Sequence, residues 1–132
     1  MSERPVAEKL LIRPGRTVWV SDPGRLALLG PLPEGALVVA DLAEAAVAVA
    51  IVDDGATARR VLDAEGTRLA AAEVFWVLYP KGGRADINRD SLWPIVAEYG
   101  MRPITQVAVD EAWSALRFRP LKAGELGFAG GR

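Results

Sequence analysis

Three short runs of almost unbroken apolar residues constrain this chain more than anything else in it: ALVVAD at 36–41, VAVAIVD at 47–53 and VFWVLY at 74–79. A strand with one face in water alternates apolar and polar residues, whereas one covered on both sides has no polar face to show. Such runs therefore predict strands of a mainly parallel sheet, with helices packed on both faces. The expected fold class is α/β, a three-layer sandwich of about six strands, mostly parallel, that ends in an antiparallel hairpin.

The other segments fit around that sheet. Residues 5–12 (PVAEKLLI) suit a short amphipathic helix, stopped by Arg13-Pro14-Gly15, because proline disfavours helix at the residue before it. TVWVSD at 17–22 reads as the first strand. After Pro23-Gly24, residues 25–29 allow only a brief helix before Gly30-Pro31 and Pro33-Glu34-Gly35 break it. The runs at 36–41 and 47–53 leave five residues between Asp41 and Val47, whereas a parallel crossover usually takes a dozen or more. A stretched loop between parallel strands is the favoured reading, and antiparallel pairing the other. Asp54 is placed to cap a helix through Thr57, Val61, Leu62 and Leu69, and Ser91 a helix over 92–99 with Pro94 in its first turn. ITQVAVD at 104–110 and WSALRFR at 113–119 are too close for a crossover, so they predict the hairpin. Residues 1–120 read as one domain and 121–132 as a flexible tail.

Composition excludes whole classes of chemistry. The chain has no cysteine and no histidine, which removes disulfides, Cys/His zinc sites, thiol nucleophiles and Ser-His-Asp triads. Its 16 lysines and arginines nearly balance 17 aspartates and glutamates, so no whole-molecule field attracts a polyanion, and no nucleic-acid partner is expected without a local basic patch. The longest apolar run, at 45–52, falls far short of the roughly 20 residues of a spanning helix. No membrane association is expected, and the absence of a signal-peptide pattern points to a cytoplasmic protein.

The order of strands and helices, with the lead-in KLLIRPGRTVWVSDPG, resembles a class I S-adenosylmethionine-dependent methyltransferase domain with a piece removed. RPGRTVWV, LLGPLPEG, VFWVLYPKG and VDEAWSALRF resemble, over residues 9–120, a bacterial family of small Rossmann-like proteins catalogued as a domain of unknown function. The resemblance implies a reduced Rossmann-like fold. It aligns Asp41 with the methyltransferase ribose-binding acid. The loop Ser21-Asp22-Pro23-Gly24-Arg25 departs from the pattern: it offers one glycine where the superfamily offers several, and its proline lacks an N–H.

Candidate site residues cluster where strands end. The stretch 81–89 (KGGRADINR) leaves the carboxyl end of an apolar strand, the position at which open α/β sheets take ligands. Lys81 as a point charge and Arg84 or Arg89 as a two-pronged clamp suit phosphate or carboxylate; a solvated connection is the plainer reading. Asp22, Asp41, Asp53 and Asp54 fall at strand ends and could converge on Mg²⁺ or act as acid and base, although aspartate also favours turns and caps for local reasons. Trp113 and Arg117 could stack on and neutralise an anionic ligand; alternatively Trp113 packs the hairpin corner and Arg117 pairs with Glu111. Trp19, Trp76 and Trp93 are assigned to the core or a subunit contact. No metal site and no catalytic residue are assigned.

Three functions are compatible with these residues. The first is a non-catalytic module binding a small anionic ligand, or a protein partner, at a rim of Asp22, Asp41, Lys81 and Arg84. The second is a methyltransferase-like enzyme holding S-adenosylmethionine at Asp22, Gly24 and Asp41. The third is a structural homodimer formed through the edge of the hairpin.

Overall fold

The structure, a computed structural model, describes residues 5–81 and 87–121, apart from the side chain of Arg89. Six strands among the described residues form one sheet: β1 Thr17–Val20, β2 Leu37–Val38, β3 Val47–Ile51, β4 Val74–Pro80, β5 Met101–Ala108 and β6 Trp113–Pro120. Their order is β2-β1-β3-β4-β6-β5. β1 to β4 are mutually parallel, and β6 runs against both β4 and β5, so β5 points with the parallel set. This is the Rossmann-like α/β sandwich that the apolar runs predict, with the antiparallel strand slotted inside the sheet.

Alternation along β3 and β4 divides the core in two. Ala48, Ala50, Phe75, Val77 and Tyr79 pack beneath α2 (Gly55–Ala71) and α3 (Arg89–Ala97), joined there by Leu116 and Phe118 of β6. Val47, Val49, Ile51, Trp76 and Leu78 face a thinner layer made of α1 (Val6–Lys9) and the 3-10 helix Pro23–Leu29. Because both faces are covered, every residue of β3 is buried.

The run at 36–41 behaves differently from its apolar composition. Only Leu37 and Val38 pair as a strand; they lie at the sheet edge, 63% and 44% exposed, rather than covered on both sides. Geometry supplies the reason. The connection to β3 has only the eight residues 39–46, and a parallel return must carry the chain back along the strand it leaves. A two-residue strand makes that return short. In place of a stretched loop the connection contains a 3-10 turn, Leu42–Glu44, whose Leu42 enters the core. Thr17 Oγ1 pins it, donating to Glu44 O (2.8 Å) and accepting from Ala46 N (3.0 Å).

Three element ends also differ from expectation. α1 stops at Lys9 because Leu11 takes a left-handed φ of 67°, which lets Leu11 N–H reach Glu8 O (3.0 Å) and Ile12 N–H reach Ala7 O (2.9 Å). This is the two-bond helix closure usually given to glycine, and it drives Ile12 into the core. The cap of α3 is Asn88, not Ser91: Asn88 Oδ1 accepts from Ser91 N–H (3.0 Å) while Ser91 Oγ accepts from Asn88 N–H (2.9 Å). The helix therefore starts earlier, and Pro94 lies beyond its first turn. β5 begins at Met101 and carries a bulge between Pro103 and Thr105. Asp54 does cap α2, accepting from Thr57 N–H (2.8 Å). No helix among the described residues is long and apolar enough to cross a membrane.

Candidate functional site

The topological switch point falls between β1 and β3, since the chain leaves β1 toward β2 on one side and β3 lies on the other. Crevices outside the carboxyl ends of such strands are where this architecture takes ligands. The residues emerging there are Ser21, Asp22 and Arg25 after β1, and Asp53 and Asp54 after β3. Ser21 Oγ accepts from Ile51 N–H (2.8 Å), which holds the two strand ends together.

Arg25, which the sequence reading leaves as part of a departing loop, is the hub of this rim. Its Nη1 donates to Asp53 Oδ1 at 2.7 Å, its Nε lies 3.5 Å from Asp22 Oδ2, and its Cζ sits 5.3 Å from the centre of the Trp113 ring. The hydrogen bond to Asp53, and then the field of both carboxylates, push the guanidinium above its ordinary pKa. Two acids from different strands thus share one internal cation above an aromatic face, the arrangement that favours a guanidinium.

The other acids are engaged locally. Asp22 Oδ1 accepts from Gly24 N–H (3.2 Å) and Asp41 Oδ1 from Ala43 N–H (3.0 Å), so both cap 3-10 turns. Asp54 is the cap of α2; the Thr57 backbone N–H, and then the Thr57 hydroxyl, hold its carboxyl below the ordinary value. Among the described residues no group of three acids is close enough to hold a metal ion. Aspartates that converge by topology are separated here by their capping duties.

Trp113 is fixed from below. Asp110 Oδ1 accepts from the N–H groups of Ala112 (2.7 Å) and Trp113 (2.8 Å), tying off the β5–β6 turn. Lys81 N–H donates to Ala112 O (2.8 Å), binding that turn to the end of β4. Between the turn and the Pro23–Leu29 helix lies a cleft of about 590 Å³ lined by Val6, Arg25, Ala27, Leu28, Gly30, Val109, Asp110 and Trp113. A second cleft of about 650 Å³ on the α1 side is lined mainly by prolines and aliphatic chains, including Pro5, Leu11, Pro14 and Pro33. Its charged lining residues are Glu8 and Arg13.

The structure brings Asp22, Gly24, Asp53 and Trp113 together at the rim around Arg25. Asp41 sits on the same edge but turns away into its own cap. Arg117 is not at the rim: it lies opposite Trp76 and Thr105, four residues along β6 from Trp113, or roughly 13 Å. The sequence clue to Arg25 is its place three residues after Asp22, the spacing of a helical ion pair. Arg84 lies outside the described residues, as does most of the loop that carries it.

The fold has close counterparts among solved structures. Sp1610 of Streptococcus pneumoniae, proposed to be a tRNA (m1A22) methyltransferase, superposes with a TM-score of 0.56 at 11% identity over 94% of this chain and 70% of its own. A protein of the NADB-Rossmann superfamily from Streptococcus agalactiae gives 0.56 at 9% identity, over 91% and 69% respectively. No protein-family model and no curated protein matches the chain. At these identities the likeness shows the fold alone: a Rossmann-like α/β sandwich.

Proposed function

We propose that this chain is a non-catalytic Rossmann-like module that binds a small anionic ligand with a planar ring in the cleft beside Arg25 and Trp113. The observation that carries the reading is the cleft itself: concave, at the carboxyl ends of parallel strands, with one aromatic face and one guanidinium in its wall. Trp113 supplies stacking surface and Arg25 guanidinium N–H donors suited to phosphate or carboxylate oxygens, while Val6, Leu28 and Val109 make the apolar lining.

A second reading, a methyltransferase-like enzyme using S-adenosylmethionine, is favoured by the strand order and by the likeness to Sp1610. The loop after β1 argues against it. Gly24 N–H is occupied by Asp22, Pro23 has none to offer, and the Asp41 carboxylate is bonded to Ala43.

Thermal denaturation with AMP and with S-adenosylmethionine separates the two. A ligand bound only by the native state stabilises it by about 2.7 kcal/mol at a hundred times its Kd. AMP should raise Tm, and Trp113→Ala and Arg25→Gln should each abolish the rise. A shift with S-adenosylmethionine that survives both substitutions would favour the enzyme. No shift with either compound at millimolar concentration would reject both.

A further inference from the structure

We propose that a second copy of this chain pairs with the open edge of β2, antiparallel about a two-fold axis at Val38, so that two sheets run on as one. β2 ends the sheet. Leu37 N–H donates to Arg16 O (3.0 Å) and Val39 N–H to Val18 O (2.9 Å), so residues 37 and 39 turn their backbone groups to β1. Alternation then aims both the N–H and the C=O of Val38 away from the sheet. The side chains of Leu37 and Val38 are themselves exposed, at 63% and 44%. The segment 36–40 (ALVVA) carries no charge and no proline, the residues that ordinarily close an edge to another strand.

The other edge of the same sheet is blocked. Leu121 N–H donates to Gly100 O (2.9 Å) and Val109 N–H to Trp113 O (3.0 Å), which fixes by alternation what β5 turns outward. Pro103 faces the edge with no N–H to give, a bulge follows it before Thr105, and Lys9 Nζ donates to the outward Ala108 O (3.4 Å). Proline, bulge and lysine are the usual defences of an edge strand, and β2 has none of them.

Its own copy is the partner that β2 fits. The extended stretch is bounded on one side by the turn in which Ala36 N–H bonds back to Pro33 O (3.1 Å) and on the other by the Leu42–Glu44 3-10 turn. A long foreign strand would find little ladder there. About a two-fold axis the outward residue meets itself: each Val38 N–H donates to the Val38 carbonyl of the other copy, and Leu37 of one opposes Val39 of the other. Opposed residues share a face, so apolar side chains meet apolar side chains and no like charges are set together. Such a contact is isologous and closes at two. Because it is short, it gives a weak dimer, with a Kd on the order of 10–100 μM.

The test uses the full chain in sedimentation equilibrium from a few micromolar to a few hundred micromolar, with amide hydrogen exchange read by NMR. A reversible monomer–dimer equilibrium is expected. The Val38 amide should gain severalfold protection from the bottom of that range to the top, while the Gln106 amide on the β5 edge gains none. Val38→Pro deletes the outward donor without removing a bond to β1, and should weaken dimerisation at least tenfold. Val38→Lys, which sets two cations directly opposite each other, serves if the proline variant fails to fold. Ile104→Lys on the β5 edge should leave the dimer intact. A monomer throughout the range, a dimer that survives the Val38 substitutions, or one that is lost with Ile104→Lys, overturns the proposal. Species that grow beyond a dimer with concentration overturn it as well, because a two-fold contact closes.

Discussion

The two faces of this sheet are covered by different means. On one, α2 and α3 lay long apolar stripes over Phe75, Val77, Leu116 and Phe118, and each helix carries its own cap. On the other, a four-residue helix and a kinked 3-10 segment cover Val49, Trp76 and Leu78, and point contacts take over from regular structure. Trp76 Nε1 donates to Leu10 O at 2.9 Å, and Lys9 Nζ to Ala108 O at 3.4 Å. The rim cleft opens at the margin of the second face, between the 3-10 segment and the β5–β6 turn. The clefts of about 590 and 650 Å³ both open beside the irregular cover.

That contrast breaks first, and by the largest margin, at Trp76, which is 1% exposed. Trp76→Ala should destabilise by about 3–5 kcal/mol in urea unfolding. Trp76→Phe keeps most of the packing but leaves the Leu10 carbonyl without its donor, at about 1–3 kcal/mol. The sharper observable is hydrogen exchange. In Trp76→Phe the amides of 9–12 should exchange well ahead of those in α2, because local opening follows the weakest anchors. Equal acceleration on both faces would show that α1 and α2 open as one unit.

On the helical face the expected effects are smaller because they are distributed. Asn88→Ala removes the accepting half of a reciprocal cap and should cost about 1 kcal/mol, measured at unchanged urea m-value. Here the sequence is only half readable. Asp54 is legible as a cap because Asp, Gly and a helical pattern follow one another, whereas Asn88 and Ser91 are both good capping residues and the chain uses both. β3 and β4 are legible because burial on two faces writes itself as an apolar run. β2 carries the same signature yet lies exposed, because composition does not record how long a crossover must be. Leu11 closes a helix in a conformation that its side chain resists, so no residue preference marks the stop. Arg25 becomes a site residue only when β1 and β3 stand side by side.

Acid titration weighs the α2–α3 contacts next. Arg59 forms a two-pronged bond to Glu98 (2.9 and 3.2 Å); that bond lowers the Glu98 carboxyl, and the Thr57 backbone N–H lowers Asp54. A carboxyl whose folded pKa is depressed adds stability above its unfolded value, about 4, and loses it as pH falls through the lowered folded value. Glu98→Gln and Asp54→Asn should each flatten the acid limb of stability against pH. Tyr99, bonded to the Asp63 carboxylate and raised by it, acts at the other extreme. Its contribution is intact below the usual tyrosine pKa of about 10 and declines as pH climbs from there through the raised value. An acid limb unchanged by Glu98→Gln would mean that the Arg59–Glu98 pair plays no part in joining α2 to α3, and one unchanged by Asp54→Asn that the cap adds nothing to α2.

The smallest stability effect belongs to the residue with the most to say about function. Arg25 bridges Asp22 and Asp53, but its side chain is 36% exposed and the acids 45% and 53%, and pairs in contact with water contribute roughly 0–1 kcal/mol. Arg25→Ala should therefore change stability by less than about 1 kcal/mol, while freeing one face of Trp113 and leaving two carboxylates without their shared cation. Acrylamide quenching of tryptophan fluorescence should increase, and a few hundred millimolar guanidinium chloride, below the unfolding range, should partly reverse it by returning a guanidinium to the gap. An effect well above 1 kcal/mol would place Arg25 with Trp76 as a structural anchor, and the irregular face would then be held together at its rim as well as at its centre.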